Sequence, residues 1–148
     1  MSEDETVWPS GAPQVGDRAE RSREIRAEYI DYFTEITGDT NPLHYDEVAA
    51  EATPFGGIVV QGGVTSGILN AVVAEDLPGP GTVFMSVDWD FTAPVRPGDT
   101  ITGVVEVTAV REDKPITELR TRVTRDDGTE VLSGTAVCYT FDVSASAR

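Results

Sequence analysis

The only histidine of the sequence, His44, stands five residues after Asp39 in the stretch Gly38-Asp39-Thr40-Asn41-Pro42-Leu43-His44-Tyr45-Asp46. An imidazole and a carboxylate can exchange protons near neutral pH. A loop stiffened by Pro42 can turn both toward one cavity, where an ordered water touches each. The plainer reading also stands, with Asp39 capping a turn and His44 packed inside. A second segment, Phe55 to Gly63, sets four glycines, Gly56, Gly57, Gly62 and Gly63, around the apolar Ile58, Val59 and Val60. It leads straight into an apolar helix, so the N–H groups of the first turn, Gly62 nearest, have no acceptor within that helix. Donors of this kind, added to the helix dipole, suit an oxygen that gains negative charge during a reaction. The alternative is that the glycines serve only a turn and close packing.

The elements that must position these residues follow from periodicity. Asp17 to Glu24 is charged and weakly patterned and reads as an edge strand, and a helix of about three turns is expected from Ala27 to Thr37. Ile30, Phe33 and Ile36 or Thr37 share one of its faces, and Gly38 stands where a left-handed residue ends a helix. Asp39 to His44 reads as a short loop, and Asp46 as the cap of a brief helix to Ala52. Val64, Ile68, Leu69, Val72 and Val73 recur at helical spacing with Gly67, Ala71 and Ala74 between them, predicting a buried helix that ends at Leu77-Pro78-Gly79-Pro80-Gly81. Beyond Gly81 the period becomes two. Val83, Met85, Val87, Trp89 and Phe91 alternate with polar residues, and three further strands follow at Thr100 to Val110, Ile116 to Thr124 and Val131 to Phe141. Asp126-Asp127-Gly128 makes a tight hairpin between the last two. Consecutive strands with short turns imply an antiparallel sheet, with the apolar helix on its buried face: an α+β fold, one central helix wrapped by a curled sheet.

With 148 residues the chain has the size of one domain. That domain is expected over residues 15–142, after a disordered lead-in, 1–14, in which Trp8 is placed to pack on the body, and before a tail, 143–148. Eleven Lys and Arg against 26 Asp and Glu give a net charge of -15, which repels phosphate backbones and anionic membranes, so neither nucleic acid nor a membrane is an expected partner. Met1 to Thr6 supplies no basic, apolar signal segment, no stretch has the length of a membrane span, and a lone cysteine, Cys138, forms no internal disulfide, so a cytoplasmic protein is expected. One histidine and one cysteine build no zinc cluster. Neither a metal nor a cofactor is expected. Arg111, Lys114, Arg120, Arg122 and Arg125 concentrate what positive charge there is, either to meet phosphates or merely as a solvated strand face.

Taken together, the G-D-x-N-P-x-H-x-D stretch, the Phe55-Gly56 pair a dozen or so residues on, and the glycine heading an apolar helix resemble the MaoC-like family of R-specific enoyl-CoA hydratases. Phe91 to Thr100 and Val110 to Pro115 also resemble that family, so the likeness covers about Gly16 to Phe141. It implies the hot-dog fold and the reversible syn addition of water to a 2-enoyl thioester. Asp39 and His44 match the family's catalytic pair. Gly62 matches the glycine whose amide binds the thioester oxygen, with Gly63 beside it, and Asn41 matches the asparagine that shapes the loop. Gln61 stands where many members carry histidine, and Asn70 where some carry a serine facing the substrate. The resemblance further implies an acyl-CoA thioester as substrate and a homodimer that covers exposed strand edges. Two alternatives carry over: a thioesterase on the same fold, which would want a carboxylate in the central helix where Val64 to Ala74 has none, and a non-catalytic acyl-thioester binding module.

Overall fold

Strand β1, Arg18–Glu24, is almost wholly exposed and charged, as an edge strand must be to resist pairing with foreign chains. It is part of a computed structural model that describes residues 7–8 and 11–145. Helix α1, Glu28–Thr37, follows and is stopped by Gly38, whose φ of 80° lets its N–H donate to Thr34 O. Two short helices come next, α2 over Pro42–Tyr45 and α3 over Glu47–Glu51, the latter capped by Asp46 Oδ1, which accepts from Ala49 N–H. The segment expected as a plain loop is therefore partly helical. Pro42 occupies the first helical position behind an asparagine cap, a place where its missing N–H costs nothing.

The central helix α4, Gly62–Ala71, continues as one wide π turn over Val72–Asp76 instead of remaining α-helical to its end. The widened turn keeps Val72 and Val73 buried while bringing Asp76 to Arg21 of β1, with Nε–Oδ2 and Nη2–Oδ1 distances of 2.6 and 3.2 Å. That pairing holds the Asp76 carboxyl below the usual carboxylate range.

Strands β2 (Thr82–Phe91), β3 (Thr100–Val110), β4 (Ile116–Arg125) and β5 (Glu130–Thr140) join β1 in one antiparallel sheet of order β1-β3-β4-β5-β2. Its inner face, with Ile101, Val105, Leu119, Val123, Leu132 and Ala136, packs on Ile68, Leu69, Val72 and Val73. Full burial of each valine, leucine or isoleucine among them is worth roughly 1.5–3 kcal/mol. The helix crosses β3 so closely that a Cβ on Gly103 would lie 2.7 Å from Ile68 Cγ2, which is why a glycine interrupts a valine-rich strand. This is the expected α+β hot-dog architecture.

Strand β2 departs from the simple alternation. A bulge between Phe84 and Ser86 shifts the register, so Phe84 pairs with Cys138 and Val87 with Ala136. The residues turned to the inner face are thus Phe84, Val87, Trp89 and Phe91, and Met85 is not among them. Phe84 meets Trp89 edge-on at 5.7 Å, and Trp89 Nε1 donates to Thr121 Oγ1 at 2.9 Å. The first turn of the helix comes up to this edge at Phe91, where a Cβ on Gly62 would lie 3.2 Å from the ring, yet Val87 and Phe91 remain 46% and 54% exposed. In the lead-in, Trp8 Nε1 donates to Arg111 O at 3.1 Å; residues 1–6, 9–10 and 146–148 lie outside the described residues. No described helix is long and apolar enough to cross a membrane.

Candidate active site

Asp39 emerges directly from the C-terminal end of α1. Its N–H donates to Thr37 Oγ1 (3.1 Å), its carbonyl accepts from Thr34 Oγ1 (2.7 Å), and its Oδ1 accepts from Asn41 N–H (3.1 Å). The last bond leaves Oδ2 as the free face of the carboxylate. Asn41 Oδ1 in turn accepts from Leu43 N–H at 3.0 Å and so caps α2, the turn that carries His44. The asparagine thus shapes the segment between the two ionisable groups.

His44 Nδ1 lies 2.6 Å from Val59 O. A carbonyl only accepts, so Nδ1 carries a hydrogen, and in the neutral ring the lone pair sits on Nε2. Nε2 faces Asp39 Oδ2 at 3.7 Å, with the imidazole 9% and the carboxylate 37% exposed. Two acceptors at that separation can each take one hydrogen of a single water. Among the described residues no group of three or more His, Cys, Asp or Glu side chains could hold a metal ion.

Val59 belongs to the segment that leads into α4, and its neighbours are tied on both sides: Val59 N–H donates to Leu43 O at 3.2 Å and Val60 N–H to Val95 O at 2.8 Å. Arg96 adds a clamp, its guanidinium reaching Phe55 O and Ile58 O. Gln61 caps α4 in extended conformation, φ -63° and ψ 146°, and Gly62 and Gly63 supply the first two amides of the helix, which have no intrahelical acceptor. A Cβ on Gly63 would run into the Phe33 ring, so the glycine lets α1 and α4 approach closely. Gln61 itself is 2% exposed. Its Nε2 donates to Ile30 O and Thr34 Oγ1, and its Oε1 has no partner.

The chain therefore gathers Asp39, Asn41 and His44 at one point and connects them, through Val59, to Gln61, Gly62 and Gly63. His44 opens on a cleft of about 960 Å³ whose walls include Ile30, Asp31, Tyr45, Glu47 and Ile58. Gly62 opens on a smaller hollow of about 280 Å³ with Phe55, Phe91 and Pro94. Asn70 is exposed and lies farther down α4, about 12 Å along the axis from Gly62, so it is not part of the cluster. Of the cationic residues, Arg111 pairs with Asp113, Arg120 with Glu106 and Arg125 with Asp127. Sequence reasoning overlooked Thr34, which reads as an ordinary helix residue, Arg96, and the Val59 carbonyl, which side-chain identity cannot reveal.

An antiparallel sheet curled around a helix, with an aspartate–histidine pair near the open end of that helix, defines a class: the hot-dog proteins. The sequence matches the MaoC like domain family over residues 11–129, and the chain belongs to that family. It is 36% identical over 124 residues to an (R)-specific enoyl-CoA hydratase of Aeromonas caviae, covering 84% of this chain and 92% of that protein. It is 46% identical over 85 residues to a 3-hydroxybutyryl-CoA dehydratase of Methylorubrum extorquens, covering 57% and 54%. The solved structure of the A. caviae (R)-hydratase superposes with a TM-score of 0.83 at 34% identity over 89% of this chain and all of that one. An unliganded R-hydratase of Pseudomonas aeruginosa gives 0.79 at 31% over 86% and 82%.

Proposed function

We propose that this protein is an (R)-specific 2-enoyl-CoA hydratase, a hydro-lyase that adds water reversibly across the double bond of a 2-enoyl thioester and, in reverse, dehydrates a 3-hydroxyacyl thioester. The observation that carries the reading is the pinned imidazole: Nδ1 bound to Val59 O, with Nε2 left facing Asp39 Oδ2 across 3.7 Å. A water between them gives a hydrogen to each. As one of the pair takes a proton, the hydroxyl oxygen bonds to the β-carbon and the π electrons move onto the thioester oxygen. The amide of Gly62, helped by Gly63, stabilises that enolate oxygen. The dyad then delivers a proton to the α-carbon on the same face, so addition is syn and no atom is left over. The names of the relatives support the 3R alcohol as product.

Hydrolysis of the thioester fits less well. Helix α4 carries no carboxylate, and the first acidic residue after it, Glu75, sits in the π turn. We also assign a homodimer. The exposed apolar residues Val83, Met85, Val87 and Phe91 line an edge strand, and an edge of that kind is normally paired. Joining β2 to its copy would cover the hollow beside Gly62, which Phe91 already lines. Asn70, exposed in the single chain, is then a candidate acyl contact in the assembled site. The compartment proposed is the cytoplasm, in keeping with the lone thiol of Cys138.

The test is a panel of 2-enoyl-CoA thioesters of graded length, followed by loss of the conjugated absorbance and by chiral analysis of the alcohol. Hydration of at least one member to the 3R product is expected. Release of free coenzyme A with no hydration of any member would transfer the chain to the thioesterase class.

A further inference from the structure

Each of the three groups invoked above is fixed by a different element: Asp39 by the end of α1, His44 by α2 and the Val59 carbonyl, and Gly62 by the start of α4. Catalysis by positioning needs those elements locked to one another, since a misplacement of about 1 Å can cost on the order of a hundredfold. One buried junction does this. Gln61 lies between Val59 and the helix of Gly62, and spends both hydrogens of its amide on α1, at Ile30 O (3.1 Å) and Thr34 Oγ1 (3.3 Å). Thr34 gives its single hydrogen to Asp39 O, 2.7 Å away. Its remaining lone pair faces the Tyr45 hydroxyl at 2.5 Å, and Tyr45 also lies 3.1 Å from Asp31 Oδ1, so one phenol hydrogen is shared between the two. Tyr45 directly follows His44. The threonine hydroxyl therefore touches the aspartate's own backbone, the residue after the histidine and the cap of the oxyanion helix.

Burial makes the arrangement informative. Gln61 is 2% exposed with Oε1 unpartnered, a condition that costs stability. An apolar side chain would fill the same space without that cost, and Ile30 O already has its helical partner. What the glutamine adds is its pair of donors.

We propose that Thr34, held by Gln61 and Tyr45, is a positioning residue that fixes Asp39 against His44 and Gly62. The proposal rests on the hydratase reading for its kinetic effect, though not for its geometric one. Thr34→Val keeps the shape and deletes the hydroxyl, Thr34→Ser restores it, and Gln61→Leu removes the donors from the other side. On a 2-enoyl-CoA hydrated by the unmodified protein, Thr34→Val and Gln61→Leu are each expected to lower kcat about tenfold or more, with KM within about twofold. Thr34→Ser should recover most of the loss, and the Thr34→Val, Gln61→Leu double variant should lose less than the product of the two. Because His44 is the only histidine, its imidazole gives one set of ring nitrogen signals in NMR. Those signals should move in Thr34→Val and return in Thr34→Ser. An unmoved His44 signal in both Thr34→Val and Gln61→Leu, or a serine variant as impaired as the valine, would overturn the proposal. Inactivity of the unmodified protein on every enoyl thioester would instead sink the hydratase reading and leave the NMR comparison to decide this one.

Discussion

Replacing Asp39 by asparagine changes one atom's chemistry and almost nothing of the shape. Oδ1 accepts the Asn41 N–H at 3.1 Å, so the amide oxygen of the variant takes that place and the amide nitrogen falls where Oδ2 stood, 3.7 Å from His44 Nε2. In the unmodified site a water about 2.8 Å from both acceptors would see them about 80° apart. That is near enough to water's own bond angle for both hydrogens to be given with little bending. In Asp39→Asn the nitrogen offers hydrogens instead of accepting one, so the water loses one of its two acceptors and His44 Nε2 gains a competing donor. The expected loss in kcat is at least about a hundredfold, or about 2.7 kcal/mol of barrier, the lower end of what a positioned acid or base contributes. Substrate should still bind, so KM moves little. The assay is the fall in enoyl absorbance at saturating substrate, with circular dichroism and light scattering to confirm fold and assembly. A folded Asp39→Asn enzyme turning over within about threefold of the unmodified one would refute the shared-water argument. His44→Gln should match it in severity, and the double variant should lose far less than the product, because the two act on the same water.

Gly62→Pro deletes the proposed oxyanion donor, and the backbone tolerates it: the position is the first of the helix, and Gln61 before it is already extended. Turnover should fall by about two to three orders of magnitude in a protein that stays folded, and unchanged turnover would place the thioester oxygen elsewhere. Val87→Glu puts a charge on the exposed apolar edge of β2; light scattering should give twice the chain mass for the unmodified protein and a shift toward one chain for the variant. Identical masses would show that β2 is not the interface. Burial pushes the Cys138 thiol from its ordinary value of 9.0 up to about 12. The folded chain therefore keeps a proton that the unfolded chain gives up, and this contribution to stability is intact below about pH 9 and lost as pH climbs toward 12. The folded protein should resist alkylation at pH 9 while the urea-unfolded chain reacts, and rapid labelling of the folded form would contradict the burial.

Much of this was legible in the sequence because it depends on residue type and period. The change from helical spacing before Leu77 to alternation after Gly81 gave the architecture, and the Asp39–His44 stretch with the glycines at positions 62 and 63 marked the segments that the fold brings together in the candidate site. What stayed hidden depends on backbone. The Val59 carbonyl that settles the imidazole tautomer would be there with any side chain at position 59. The bulge that removes Met85 from the inner face adds a residue without changing composition, so alternation counted straight through it goes out of phase. Asn41-Pro42 does carry a readable signal for the short helix found there, a cap followed by a first-turn proline. Thr34 and Gln61 looked like a helix residue and a family departure because their partnership spans 27 residues of sequence.

The strand order also sets a timetable. β1 finds its neighbour only when Thr100 to Glu106 exist, since Arg18 pairs with Glu106 and Glu24 with Thr100. On a ribosome working at about 5–20 residues per second, the roughly 80 intervening residues take on the order of 4–16 s. During that interval the dyad and the apolar helix have been made, yet the sheet that buries the helix has not. β3, β4 and β5 then close through local hairpins, whose short loops make them the quick steps. The first-synthesised half of the chain, which holds the candidate site, must wait for the last third to give it a place to stand, and a nascent chain stalled between Val73 and Thr100 would expose Ile68, Leu69, Val72 and Val73 to whatever chaperone or neighbour reached them first.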